Sequence, residues 1–333
     1  MKNFWKKIKP PILVLAPMAG ITDSAFRELC RHYGADVVYT EMVSADGLYY
    51  DSKKTLEFLK FDKKEHPAIV QLFGKHPEKF TRAAQLCEQA GFDGIDINFG
   101  CPAKKVAGHG GGVTLMRDLA KCRQIIEAVL AGTKLPVSVK LRSSINNISR
   151  NVACNVSTEH VNKKITALDF LKFMKDLPLA AVMIHGRSYE NPFEGEPDYA
   201  LIKKCVQYQK QINHGCIMIG NGGIKKPEDA QKMLELAGVS GVGLARGLYG
   251  RPWLFQMCRQ YLKTGKYSEP TAAQINKAIL LHARLAFAAK KKHGLVELRK
   301  HLLWYVSGRT NAKALRAQLV RVESVSDVKK IFK

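Results

Sequence analysis

The sequence predicts a (β/α)8 barrel followed by a smaller all-helical C-terminal domain, on three observations. Between Ile12 and Phe255 a short β-rich apolar run, a Gly/Pro/Asn/Asp loop and an amphipathic stretch recur eight times. Helical patterns fall between these runs, the alternation that parallel strands joined by crossover helices require. Beyond about Tyr267 the strand signal stops, and Thr271 to Lys333 reads as three or four helices.

The strand runs are Ile12 to Ala16, Val37 to Thr40, Ala68 to Leu72, Gly94 to Asn98, Val137 to Leu141, Ala181 to His185, Ile217 to Gly220 and Val239 to Leu244. Helical patterns lie at Asp23 to Tyr33, Pro77 to Ala90, Asp118 to Ala131, Ala167 to Asp176 and Pro227 to Ala237. In the first of these Phe26, Leu29, Cys30 and Tyr33 share a face, as a 3.6-residue period demands. Between Arg142 and Thr166 the pattern lapses into a polar, β-branched stretch, long for a loop in a compact domain. In the tail Ile275, Ile279, His282, Leu285 and Ala286 recur at helical spacing. The expected domains are therefore 1–265, with a polar insertion at about 143–166, and 266–333.

The chain has 333 residues, 46% hydrophobic and 25% charged, a globular balance with ample core. Its formal charge of +24 calls for a polyanionic partner such as nucleic acid or an acidic membrane surface. The tail concentrates that charge at Lys290 to Lys292, Arg299, Lys300, Arg309, Lys313, Arg316 and Arg321. Eight cysteines occur without a C-x-x-C pair, which argues against a zinc site or disulfide framework and for a reducing compartment. The apolar run after the basic N-terminus is shorter than the roughly 7 to 15 residues of a signal sequence. A cytoplasmic protein without a membrane span is expected.

Candidate chemistry collects at the strands' carboxyl ends, the face that carries function in such barrels. Gly100 and Pro102 must end the fourth strand, because proline cannot donate to a ladder and glycine permits positive φ. That leaves Cys101 on a loop, as nucleophile, proton donor, metal ligand or packed thiol. Lys140 lies within an apolar strand, where an ammonium needs a partner: a Schiff-base nucleophile, a partner for an anionic ring and half of an ion pair all fit. His185 has no second histidine or carboxylate at ligand spacing, so a hydrogen-bonding role is expected. Asp93 and Asp96 read as turn and buffering acids. The glycine-rich loops at 220–224 and 243–247 end adjacent strands, where Arg246 adds a fixed charge to a candidate phosphate site. Trp304 and Tyr305 lie among Leu302, Leu303 and Val306, which favours core packing over base stacking.

Leu15 to Asp23, Val70 to Gly74, Asp96 to Val106, Val139 to Arg142, His185 to Arg187 and Gly220 to Ile224, taken together, resemble the bacterial tRNA-dihydrouridine synthases, especially the B-type branch. The likeness continues through Arg246-Gly247, Gly250 to Phe255 and Arg299 to Tyr305, in the family's order. It implies an FMN barrel with a helical tRNA-binding domain, reducing the C5=C6 bond of particular tRNA uridines at the expense of NADPH or NADH. By position, Pro17, Met18 and Ala19 would lie along the flavin, with Gln71 and Lys140 at its polar edge and His185 close by. Asn221, Gly222, Gly223, Ala245 and Arg246 would hold its phosphate.

Cys101 would be the general acid, giving C5 a proton while C6 receives hydride from reduced FMN. A thiol of pKa near 8.5 is mostly protonated at pH 7 yet acidic enough for that step. Asn98 would meet the uracil edge, and Lys104, Lys105, Arg187, Arg299 and Lys300 would hold RNA around an extruded uridine. No metal or stable protein partner is implied, and a monomer is expected. Without a dinucleotide fingerprint, the nicotinamide would dock transiently. An FMN barrel acting on a free pyrimidine is the alternative, but it would need neither the basic tail nor this charge. Three departures stand out: the long segment after Arg142, Ser188 to Phe193 where the family tends to Thr-Arg, and Ala245 in place of a glycine.

Overall fold

The computed structural model describes residues 3–108, 110–147, 164–212 and 215–332, with the side chains of Lys104 and Lys105 outside the described set. Eight parallel strands close a barrel: β1 (Ile12–Leu15), β2 (Val37–Ser44), β3 (Ala68–Phe73), β4 (Gly94–Phe99), β5 (Val137–Arg142), β8 (Ala181–His185), β9 (Ile217–Asn221) and β10 (Gly241–Leu244), which pairs with β1. An antiparallel pair, β6 (Ser144–Asn146) and β7 (Lys164–Thr166), stands at the base of the long segment after β5. The body of that segment, 148–163, lies outside the described residues.

The strands read as nearly continuous apolar runs because both faces are covered, by helices outside and by the barrel's own filling inside. On β5, Val137, Val139 and Leu141 join the core under the helices, and the alternate Ser138, Lys140 and Arg142 share the opposite face. On β4, Ile95, Ile97 and Phe99 do the same, leaving Asp96 and Asn98 inside. The lower interior is apolar, packed by Ile12, Val14, Tyr39, Ile69, Met183 and Ile219. Trp5, in the short turn Phe4–Lys7, is fully buried in this cluster. Each such side chain contributes about 1.5–3 kcal/mol by leaving water. The sequence shows this N-terminal plug only as a basic stretch, with no sign of burial.

β2 runs four residues past its expected end, to Ser44, with a register shift between Tyr39 and Met42. A helix at Tyr199–Gln211, absent from the expected set, follows an Asp198 cap whose carboxylate accepts from Leu201 N at 2.8 Å. The helices at Ser24–His32, Pro77–Gln89, Leu119–Gly132, Ala167–Phe173 and Pro227–Ala237 lie where expected, the fourth shorter than read.

The tail is helical throughout. Leu254–Thr264 leads to Ala272–Tyr305, which breaks at Lys290 and Lys291, and then to Ala312–Leu319 and Val325–Ile331. Its core takes in Ala25, Trp253 and Met257, so tail and barrel share one apolar seam. Tyr305 is core, as expected, with its hydroxyl 3.1 Å from His282 Nδ1. No described helix is long and apolar enough to cross a membrane.

Candidate active site

A cavity of about 810 Å3 opens at the strands' carboxyl ends. It is lined by Pro17, Met18, Ala19, Gln71, Asn98, Cys101, Lys140, His185, Asn221, Ala245 and Arg246, which sequence reasoning had scattered over seven loops. Gly222, Gly223 and Arg187 line an adjoining hollow of about 390 Å3 that shares His185, Asn221 and Arg246 with it.

A hydrogen-bonded chain rises through the barrel to the cysteine loop. Ser138 Oγ and Gln71 Nε2 each donate to Asp96, at 2.7 Å and 2.7 Å. Asn98 Nδ2 donates to Gln71 Oε1 at 2.8 Å and lies 3.0 Å from Met42 Sδ, while Asn98 Oδ1 accepts from the N–H groups of Gly100 and Cys101 at 3.1 and 2.9 Å. Both ends of the Asn98 amide are thus engaged within the protein. Asn98 holds the loop from the cavity wall, beside the space where it is expected to meet the substrate edge. The reading of Asp96 as a turn acid is corrected: it is fully buried inside the barrel, and burial raises its carboxyl to about 6. Asp93 does serve a turn, accepting from Ala68 N at 2.7 Å.

Two further bonds fix Cys101. Arg142 Nε donates to Gly100 O at 2.9 Å, and Val113 N to Cys101 O at 3.2 Å. Gly112 passes so close, at φ +60°, that a Cβ there would stand 2.7 Å from Cys101 O. Burial pushes the thiol's pKa up, more than an Ala103 backbone N–H and the charges of Lys140 and Arg142 pull it down. The sulfur is therefore a neutral S–H at pH 7, able to give a proton.

Lys140 is lowered to about 8, by burial first and then by Arg142. Its ammonium donates to Asn221 Oδ1 at 3.2 Å, and the Asn221 amide donates to Gly243 O at 2.6 Å. His185 is lowered to about 2 by burial and by the cations Lys140, Arg142 and Arg187. Arg187 N donates to its Nδ1 at 3.3 Å, and Arg142 Nη1 lies 3.5 Å from the same atom. The neutral ring therefore carries its proton on Nε2. A Cβ on Gly222 would stand 3.3 Å from that nitrogen, so the bare glycine lets the loop pass beside the ring.

The smaller hollow has the make-up of an anion cradle. Gly222 and Gly223 have φ +107° and +77°, turning the chain sharply after β9. Arg187 and Arg246 repel one another there, and Arg187 Nη1 is buried without a partner. Arg246 is stacked 4.8 Å from the Phe193 ring centroid. Two guanidinium groups brought together in this way, that of Arg187 partly buried, fit a phosphate group. Arg187, expected among the RNA-holding residues, belongs to this cradle. Ala245 has φ −137°, so that dihedral does not demand the glycine it replaces.

The tail residues separate. Arg299, expected to hold substrate, gives its guanidinium to Val322 O at 3.2 and 3.0 Å, inside the tail. Lys300 reaches the rim, with its Nζ 4.0 Å from where a Cβ on Gly20 would stand. Lys104 and Lys105 lie where no side chain is described. Sequence reasoning placed Arg142 beside Lys140 at the end of the fifth strand but gave it no role in the site, although its alternation with Lys140 on β5 carried the signal. It also missed Tyr249, which lines both hollows and stacks on Trp304 at 4.0 Å and 5°. Ser188 to Phe193 folds over the mouth, and the carbonyls of Ser188 and Pro192 accept from Arg142 at 3.1 and 3.4 Å.

Comparison with known proteins agrees with this architecture. Residues 14–333 match the family model for dihydrouridine synthase. The chain is 34% identical over 319 residues to tRNA-dihydrouridine synthase B of Pseudomonas aeruginosa, covering 94% of this chain and 89% of that one. It is 32% identical over 320 residues to the probable tRNA-dihydrouridine synthase 1 of a Synechocystis strain, covering 95% and 84%. Among solved structures, 6-hydroxypseudooxynicotine amine oxidase of Pseudomonas geniculata superposes with a TM-score of 0.52 at 14% identity, over 80% of this chain and 50% of that one, a likeness of fold. On the family match and these relatives, the chain belongs to the dihydrouridine synthase family.

Proposed function

We propose that this protein reduces particular uridines of tRNA to 5,6-dihydrouridine, with FMN resident in the larger cavity and NADPH or NADH as transient reductant. One observation carries the reading: Cys101 is a neutral thiol at the rim of a cavity whose other walls supply a buried ammonium, a neutral imidazole and an anion cradle. The family match and its tRNA-modifying relatives support it.

The residues present fit a flavin mononucleotide. Gly222, Gly223, Arg246 and the unpartnered Arg187 nitrogen would hold its phosphate, with Pro17, Met18 and Ala19 along the ring. Lys140 would face the ring's polar edge, where its charge offsets electron density on the reduced form. When bound, the reduced flavin supplies hydride to uracil C6.

The chain's own residues do the rest. Cys101 Sγ–H gives its proton to C5 as negative charge builds there, and the S–H bond breaks as the C–H bond forms. Asn98 and Arg142 hold that sulfur's loop from below and behind, and the His185 Nε2–H donates to a uracil carbonyl. Gln71, bonded to Asp96 and Asn98, keeps one Nε2 hydrogen for the flavin edge. Residues 1–265 would form the catalytic domain and 266–333 the RNA-gripping one, where Lys291, Lys292, Lys313 and Arg316 stand exposed. A tRNA substrate and seven free thiols among the described residues suit the cytoplasm.

The test is to purify the protein, record its absorption spectrum and map dihydrouridine in tRNA from cells with and without the gene. A flavin spectrum and dihydrouridine lost at defined positions are expected. Protein unable to take up FMN, or unchanged tRNA, would overturn the reading.

A further inference from the structure

Two exposed tyrosines stand on the catalytic face with no part in the site described above. Tyr49 and Tyr50 are 39% and 69% exposed, and their rings meet edge to face at 5.1 Å and 89°. They follow β2, the strand whose Met42 lines the large cavity, through the one-turn helix Ala45–Tyr49.

Isolated surface aromatics are ordinary. What distinguishes this pair is its support. Before it, Asp46 is paired with Lys79; after it, Asp51 accepts both of its oxygens' bonds from Arg82 Nη2, at 2.9 and 3.1 Å. Both cations stand on the helix Pro77–Gln89, so one rigid element braces the tyrosines from two sides. Asp51 takes φ +50°, turning the chain sharply behind Tyr50. Lys79 Nζ lies 4.9 Å from the Tyr50 ring centroid. The ordering cost of a large side chain is thus met in advance, without the burial that usually repays it.

We propose that Tyr50, braced by Tyr49, is a stacking platform for an unpaired base of the RNA next to the extruded uridine. The inference rests on the tRNA reading above and deepens it. Tyr49 and Lys79 are the contacts of the Tyr50 ring, and the ion pairs of Asp46 with Lys79 and of Asp51 with Arg82 border the two tyrosines, so the exposed apolar area is this aromatic pair and not the broad patch a protein partner would cover. A ring with an ammonium over one face, on a chain of charge +24, suits a nucleobase attached to a phosphate strand at its other face. Lys75, whose Cδ lies 3.6 Å from where a Cβ on Gly110 would stand, continues the basic rim toward the cysteine loop.

The experiment compares full-length Tyr50→Ala and Tyr50→Phe with the wild type, measuring tRNA affinity, its salt dependence, kcat and thermal unfolding. Tyr50→Ala is expected to weaken tRNA binding and raise KM roughly 5- to 100-fold, the range for one lost base stack. kcat at saturating tRNA, the slope of log Kd against log salt and the unfolding temperature should stay at wild-type values, because neither a phosphate contact nor core packing is removed. Tyr50→Phe should bind as wild type. A Tyr50→Ala variant with unchanged affinity, or a Phe variant as weak as Ala, overturns the platform while leaving the proposed reaction standing. Wild-type protein that neither binds tRNA nor forms dihydrouridine would overturn both.

Discussion

The mouth of the barrel and the seam between barrel and tail both bury histidine, and they treat it in opposite ways. At the mouth, His185 Nδ1 accepts from a backbone N–H, its Nε2 lies by a glycine, and the ring borders a cavity. In the seam, His282 and His301 are 0% and 1% exposed, their rings 4.8 Å apart, with Phe26 packed on both. Their Nε2 atoms are buried without a partner, and only Tyr305 meets His282 Nδ1. All three imidazoles are held neutral, chiefly by burial. What separates them is whether the polar atom faces space that a substrate can enter. The difference teaches that a lowered histidine pKa marks burial, and that only the cavity beside it marks chemistry.

The largest effect that would sharpen this contrast belongs to the mouth. Replacing Cys101 with Ala removes the proton donor without disturbing Asn98, Arg142 or Val113, which hold the loop through backbone atoms. Turnover should fall about 10²- to 10⁴-fold, the usual contribution of a positioned acid. Flavin content, tRNA affinity and thermal stability should remain. Single-turnover dihydrouridine formation is the measurement, and normal turnover would remove Cys101 from the reaction.

Much of this mouth was legible in the sequence. Lys140 stood out as a charge in an apolar strand, and Gly100 and Pro102 required the loop that carries Cys101. Strand alternation placed the inward polar residues, since the period of two is local. What was not legible was who bonds whom. Asn98 meets partners 27 and 56 residues away, Gln71 and Met42, and no spacing rule links those positions. Arg299 looked like an RNA contact because a free and a satisfied guanidinium have the same sequence; its acceptor is a backbone carbonyl 23 residues on. The helix Tyr199–Gln211 carried a readable signal, buried Ile202, Cys205, Val206 and Gln209 after an Asp cap. Trp5 among lysines gave no sign of burial, because that burial depends on strands that follow it.

The seam should reveal itself in acid. A histidine whose folded pKa is depressed binds more protons when unfolded, so its contribution is complete above the ordinary value near 6.5 and lost as pH falls below it. His282 is lowered to about 3 and His301 well below its usual range, so both should contribute across that window. Each costs about 1.4 kcal/mol of stability per pH unit there. His301→Phe, in an already aromatic setting of Phe26 and Trp304, should reduce the slope of unfolding free energy as pH falls below about 6.5. Denaturant unfolding at several pH values measures it. An unchanged slope would mean that His301 is charged in the fold, and the comparison with His185 would fail.

The smallest effect concerns where each region places backbone strain. Around the cavity and the cysteine loop, the sharp turns at Gly112, Gly222 and Gly223 fall on glycines, which adopt positive φ without steric cost. The tail instead turns its long helix at Lys291, with φ 52° and ψ −138°, a region that a side chain rarely occupies. Such a residue costs of order 1–3 kcal/mol. Lys291→Gly should release part of this, offset by the greater freedom glycine has when unfolded and by loss of the ammonium 5.6 Å from the Phe287 ring. The net expectation is a gain of about 1 kcal/mol, seen as a rise of roughly 1–3 °C in Tm. Lys291→Ala keeps the Cβ and should show no such rise. Equal unfolding temperatures for the two variants would mean that the corner accommodates a side chain without strain, and that mouth and tail do not differ in this respect.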